Sequence, residues 1–231
     1  MSSTADRAQT LASTGNDQVQ APTSSTTAAT ASTAPHDASG GQPAAAAAAA
    51  AELASTKIKL LGALKTFPDF PIPGINFIDI LPLFQDPAIH LALLRALELQ
   101  VLESAVKPDV IVGLDARGFL FGPSLALRLD ASFVPVRKQG KLPGPCVTAA
   151  YEKEYGTDYF QMQEGAIKPG QKVLVVDDII ATGGSAAAAG SLVKMLEGDL
   201  VGYLFILEIP FLQGRDKLDG VLTTTLLETD G

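Results

Sequence analysis

Large apolar side chains are almost absent from the first 54 residues, and from Thr56 onward they return in two alternating rhythms. Ile58, Leu60, Leu61 and Leu64 recur at helical spacing and predict a short helix leading into the stiff loop Phe67-Pro68-Asp69-Phe70-Pro71-Ile72-Pro73-Gly74. Asp86-Pro87 has the form of an N-cap followed by proline in the first turn. It opens a helix over His90–Ser104 that Pro108 cannot extend. Val110–Gly113 then reads as a buried strand, Gly118–Leu129 as a helix and Ser132–Arg137 as a second strand. After a polar stretch from Lys138 to Glu164, the β-branched run Lys172–Val176 predicts a strand. Ser185–Leu196 predicts a helix closed by Gly198, and Val201–Glu208 a further strand. Strands that alternate with helices imply an α/β fold, a mainly parallel sheet flanked by helices. Its ligand site belongs beyond the carboxyl ends of the strands.

Composition adds limits. Residues 1–54 are rich in Ala, Ser, Thr, Gly and Pro, include the run Ala44–Ala51, and are expected to form a disordered low-complexity tail before a single domain over 55–231. The alanine run favours helix, but without an apolar face such a helix gains nothing from packing. A transit peptide fits poorly, because Arg7 is the only basic residue before Lys57 while Asp6, Asp17 and Asp37 are acidic. A net charge of −8 argues against a nucleic-acid surface and requires any phosphate site to be local. The single cysteine, Cys146, cannot form an internal disulfide, and the alanine tract is too weakly hydrophobic to span a bilayer. No membrane partner and a cytoplasmic location are expected.

The chemistry concentrates after the strand Val173–Val176, in Asp177-Asp178-Ile179-Ile180-Ala181-Thr182-Gly183-Gly184-Ser185. Gly183 and Gly184 let the backbone curl close to a ligand. Free N–H groups at the helix start and the hydroxyls of Thr182 and Ser185 can surround a phosphate. Two adjacent carboxylates suit the vicinal hydroxyls of a ribose. Neither the Walker A pattern nor a GxGxxG fingerprint is present, which disfavours triphosphate hydrolysis and dinucleotide binding. The segment resembles the signature of type I phosphoribosyltransferases that binds phosphoribosyl diphosphate (PRPP). The resemblance implies that Ala181, Thr182, Gly183, Gly184 and Ser185 hold the 5-phosphate and that Asp177 and Asp178 address the ribose.

A second strand end reads Gly113-Leu114-Asp115-Ala116-Arg117-Gly118-Phe119-Leu120-Phe121-Gly122-Pro123. A third gathers Arg137, Lys138 and Lys141 in an otherwise acidic chain. Both are similar to segments of the adenine phosphoribosyltransferases, the first with Ala116 where that family's GLDSRGFLFGP has serine. That likeness implies a pyrophosphate site at Asp115, Ala116 and Arg117, with the basic loop serving a diphosphate site at the interface of a homodimer. The stretch Phe67–Ile80 resembles the family's amino-terminal hood, which implies Phe77 stacking on adenine and the backbone near Asn76 and Ile78 reading its edge. Read without the family, Phe67 and Phe70 form a hydrophobic clamp on the core.

Glu208-Ile209 and Phe211–Leu218 resemble the family's carboxy-terminal signature, with Ile209 on the other face of the base. Ala150–Gly156 is similar to its catalytic loop, nominating Glu154 for the N9 proton of adenine and Tyr155 for closure over ribose and pyrophosphate. Local sequence alone equally suits a charged exposed hairpin there. The family implies Mg²⁺ held mainly by PRPP rather than by protein ligands, with AMP and pyrophosphate as products. Two alternatives stay open: a transferase of the same fold for a different purine, and a non-catalytic PRPP-sensing regulator.

Overall fold

A computed structural model of the chain describes residues 41–70, 72–74, 76–104, 106–152 and 156–228. The first helix, α1, runs Gly41–Leu61, so the boundary expected at residue 54 falls inside it and residues 41–54 are helical, not a disordered tail. The alanine run supplies helix propensity, and Leu53 and Leu60, both buried, give it the packing face that the alanines lack. Glu52 also accepts from Arg95 Nε at 2.9 Å. A two-stranded antiparallel ribbon follows, β1 (Lys65–Phe67) with β2 (Phe77–Asp79), where the sequence predicted only a loop.

The short helix α2 (Pro82–Gln85) precedes α3 (Pro87–Glu103), which is capped as its sequence implies. Asp86 Oδ1 accepts from the backbone N–H of Ala88 at 2.7 Å and of Ile89 at 3.3 Å. Strand β3 (Val110–Leu114) leads to a 3₁₀ turn (Arg117–Leu120) and α4 (Gly122–Arg128). The single helix expected over Gly118–Leu129 is therefore broken. Pro123 sits in the first turn of α4 and has no N–H with which to continue a preceding helix. Then come β4 (Ser132–Lys138), β5 (Cys146–Glu152), β6 (Thr157–Gln163), β7 (Lys172–Ile180), α5 (Gly184–Met195), β8 (Asp199–Glu208) and β9 (Thr223–Glu228).

Seven strands form one sheet in the order β5-β6-β4-β3-β7-β8-β9. The five from β4 to β9 are mutually parallel, and the hairpin β5–β6 adds an antiparallel edge. Both faces are covered. Ile111, Leu174, Val176, Leu204 and Ile206 pack beneath α1, α3 and α4, while Val110, Val112, Val173, Val175, Tyr203 and Phe205 pack beneath α5. This double burial explains why the central strands read as continuous apolar runs. Among the described residues no helix is long and apolar enough to cross a membrane.

Candidate active site

Strand β7 continues past the apolar run that predicts it and carries Asp177 and Asp178 within the sheet, ending at Ile180. Gly183, left-handed at φ 77°, then turns the chain into α5. The first N–H groups of that helix face outward without intrahelical acceptors, a favourable place for an anion. Beside this turn, Gly118 lets the end of β3 approach β7. A methyl group there would stand 2.8 Å from the Val176 carbonyl oxygen. The approach brings Arg117 Nε within 2.7 Å of Asp178 Oδ2, an ion pair between two strand ends.

Asp178 is 2% exposed, and its Oδ2 has no aligned hydrogen-bond donor despite the nearby guanidinium. Asp177 accepts the backbone N–H of Asp178 through Oδ1 at 2.9 Å. Burial, reinforced by the neighbouring Asp178 charge, holds the Asp177 carboxyl well above the usual carboxylate range. Burial raises Asp178 as well, with Arg117 acting in the opposite direction. Two crowded carboxyls with spare acceptor capacity favour a ligand that brings hydroxyl donors.

A cavity of about 320 Å³ opens over this turn, lined by Phe77, Arg117, Phe205, Ile209 and the continuous stretch from Asp177 to Ala186. Asp177, Asp178, Ala181, Thr182, Gly183, Gly184, Ser185, Arg117, Phe77 and Ile209, all nominated from sequence, thus share one wall. A second cavity, of about 420 Å³, is lined by Phe67, Phe70, Phe77 to Leu81 and Arg117. Phe77 and Arg117 belong to both, so an apolar compartment adjoins a polar one.

Other nominated residues lie elsewhere. Asn76 is exposed, and Ile78 pairs with Thr66 in the ribbon while packing against the core, so neither side chain lines the cavity that holds Ile209. Phe67 and Phe70 do not clamp the core. They are 48% and 52% exposed, because so short a ribbon cannot bury them, and Phe70 instead meets Phe77 edge to face at 5.1 Å.

Asp115 and Ala116 follow β3 with a cis peptide between them, and Asp115 Oδ2 accepts from Arg137 Nε at 3.1 Å. Arg137, Lys138 and Lys141 do not line the cavity. Glu154 and Tyr155 lie outside the described residues, between strands β5 and β6. Sequence reasoning missed the Arg117–Asp178 pair and the closeness of Gly214 to Gly183. A methyl group on Gly183 would run into the Gly214 carbonyl. The one hint was a glycine inside the motif Gln213-Gly214-Arg215.

The arrangement offers two acidic acceptors, a ring of backbone donors and a forked cation beside apolar walls, and so can hold a phosphorylated polyol next to a flat apolar group. A family model of the phosphoribosyl transferase domain matches residues 84–207. The adenine phosphoribosyltransferase of Yarrowia lipolytica is 59% identical, the match covering 72% of this chain and 92% of that protein. That of Debaryomyces hansenii is 55% identical, covering 76% of this chain and 93% of its own. The crystal structure of the Saccharomyces cerevisiae adenine phosphoribosyltransferase, complexed with an imino-altritol bisphosphate and adenine, is similar with a TM-score of 0.73. It is 55% identical, over 75% of this chain and 99% of that one.

Proposed function

The chain belongs to the adenine phosphoribosyltransferase family, and from that premise we propose how its cavity carries out the reaction, adenine and PRPP giving AMP and pyrophosphate in purine salvage. The observation that carries the proposal is the placement of the buried Asp177 and Asp178 beside the left-handed Gly183 turn, in one cavity with Phe77 and Ile209. In this reading the N–H groups and hydroxyls from Ala181 to Ser185 take the 5-phosphate, and the aspartates accept from the ribose hydroxyls. Adenine lies between Phe77 and Ile209, with the backbone near Asn76 and Ile78 at its polar edge.

The bond from C1 of the ribose to the pyrophosphate oxygen breaks and a bond from adenine N9 to C1 forms. Positive charge grows on the ring while negative charge gathers on the leaving group. Arg117, already at the mouth of the ribose site, offers the departing diphosphate two parallel N–H donors. The Asp115–Ala116 backbone contributes to the same site, where Ala116 has no hydroxyl to give. Glu154 takes the N9 proton, and Tyr155 helps exclude the water that would otherwise capture the ribosyl cation.

The donor set suits a Mg²⁺ ion that arrives on PRPP. Mg²⁺ prefers phosphate oxygens and water, so an ion carried by PRPP would need few protein carboxylates. When bound, the ion neutralises diphosphate charge. Arg137, Lys138 and Lys141 form a basic segment next to Asp115, which accepts from Arg137 Nε at 3.1 Å, and fit a diphosphate contact at the boundary of a homodimer. A fully active monomer in light scattering would oppose that assembly. The single unpaired cysteine fits the cytosol.

Parallel turnover assays with adenine, hypoxanthine, guanine, xanthine and orotate test the reading. Adenine is expected to be used far ahead of the rest, since a 6-oxopurine calls for a cation at O6, whereas in this reading the polar edge of the base meets the backbone near Asn76 and Ile78. Preference for hypoxanthine, or PRPP binding without AMP formation, would overturn it.

A further inference from the structure

Beyond Ile209, the segment after β8 makes contacts that the proposed reaction does not use. Gln213 turns left-handed at φ 51°, ψ 37° and sets the buried Gly214 against the phosphate-side turn. A methyl group on Gly214 would overlap the Ala181 carbonyl oxygen and come within 3.0 Å of the Gly183 nitrogen. One on Gly183 would overlap the Gly214 carbonyl in return. Two backbones therefore touch with no side chain between them, and close packing makes the position of one depend on the other.

Gly214 is held in place by the residue that follows it. Arg215 donates through Nε to Glu208 Oε1 at 2.7 Å, through Nη1 to the Thr223 carbonyl at 2.6 Å, and through Nη2 to Glu208 Oε2 at 2.5 Å and to Thr225 Oγ1 at 3.1 Å. Glu208 is the last residue of β8 and stands opposite Ile180, the last residue of β7. One planar guanidinium thus ties the 3₁₀ turn over 214–217 to β8 and β9, a geometry that a flexible ammonium group cannot reproduce. Arg215 itself is not part of the cavity wall.

We propose that Arg215 is a positioning residue for PRPP: by locking Gly214 against Gly183, it keeps the turn from Ala181 to Gly184 in the curvature that presents its N–H groups to the 5-phosphate. The inference rests on the reading of that turn as the phosphate site. It predicts a larger effect on PRPP than on adenine, since the clamp backs the phosphate turn, whereas Phe77 is carried by β2 and Ile209 is anchored by its own N–H on the Ile180 carbonyl at 3.0 Å.

The test is steady-state kinetics on Arg215→Gln, Arg215→Lys, Thr225→Val and Leu226→Ala, varying each substrate in turn, with Tm measured for every protein. Arg215→Gln is expected to raise KM for PRPP about tenfold and KM for adenine less than about twofold. Arg215→Lys should recover only part of that loss, and Thr225→Val, which removes the hydroxyl that accepts from Arg215 and donates to Glu208, should shift KM for PRPP less but in the same direction. Leu226, buried in the core beneath α1 and α3, reports general destabilisation. Leu226→Ala should lower Tm without separating the two KM values.

An equal rise in both KM values, an unchanged KM for PRPP in folded Arg215→Gln, or the same separation in Leu226→Ala would overturn the proposal. If Arg215→Gln does not fold, Thr225→Val decides by the same criterion. Wild-type protein that forms no AMP would sink the proposed reaction, whereas an active wild type with no PRPP-selective effect would sink this inference alone.

Discussion

The cavity has two sides built in contrasting ways. On the phosphate side, β3 and β7 are buried on both faces, Asp178 is enclosed, and Gly183 lies backbone to backbone against Gly214. On the base side, Phe77 belongs to a ribbon of three-residue strands whose β1 is exposed throughout, and its ring neighbour Phe70 is half open to solvent. The proposed phosphate side is thus closely packed and confines two carboxyls, whereas the proposed base side has few buried contacts. In the proposed reaction, binding energy from the phosphoribosyl group would be gathered by the closely packed side, while the base would be selected by stacking and backbone contacts.

The comparison breaks most sharply at Asp178. Asp178→Asn should lower kcat/KM for PRPP by about 100-fold or more, since it removes a buried charge-assisted acceptor and leaves Arg117 without its partner. Steady-state kinetics with PRPP varied checks this, and near-wild-type values would mean that the ribose sits elsewhere. Glu154→Gln should reduce kcat by about 100-fold while changing PRPP affinity little, which separates chemistry from the closely packed side. Equal turnover would remove the proposed base.

Phe77→Ala should raise KM for adenine about tenfold and leave KM for PRPP near its original value, as expected for a lost stacking face. A rise in both would show that the two sides are not independent.

The smallest effect concerns stability. The folded-state pKa of Asp177 is raised, so the folded protein holds more protons than the unfolded chain just above the usual carboxylate range, and stability falls as pH rises through that window. Glu208 runs the other way. Arg215 lowers its pKa, and the stability it contributes is lost as pH falls through the acid range. Asp177→Asn should therefore raise the Tm of the ligand-free protein by a few degrees at neutral pH and less at acid pH, while weakening PRPP binding. Thermal scans across pH check it, and a lower Tm at neutral pH would show that the charged pair is stabilising.

The same contrast explains what could be read in the sequence. Val110–Gly113, Val173–Val176 and Val201–Glu208 are strands buried on both faces, so their apolar runs are continuous and the parallel core was legible, as was the turn from Asp177 to Ser185. In β6, Phe160 and Met162 alternate with Asp158, Tyr159, Gln161 and Gln163, and β9 opens with three threonines. Strand β6 buries alternate residues only, and the edge strand β9 buries only Leu226 and Leu227, so both carry too little apolar signal to separate from loop. The ribbon β1–β2 is shorter than any reliable alternation. α1 extends back to Gly41 because Leu53 and Leu60 meet α3, a tertiary gain that alanine spacing cannot announce. Neither Arg117 with Asp178 nor Gly183 with Gly214 is local in sequence, and each pair is brought together only by the parallel register of the sheet.

The most direct test is a crystal structure of the protein with PRPP and Mg²⁺. The account predicts the 5-phosphate against the backbone from Ala181 to Ser185, with the ribose hydroxyls on Asp177 and Asp178. PRPP ordered at another place, with that turn left empty, would contradict it.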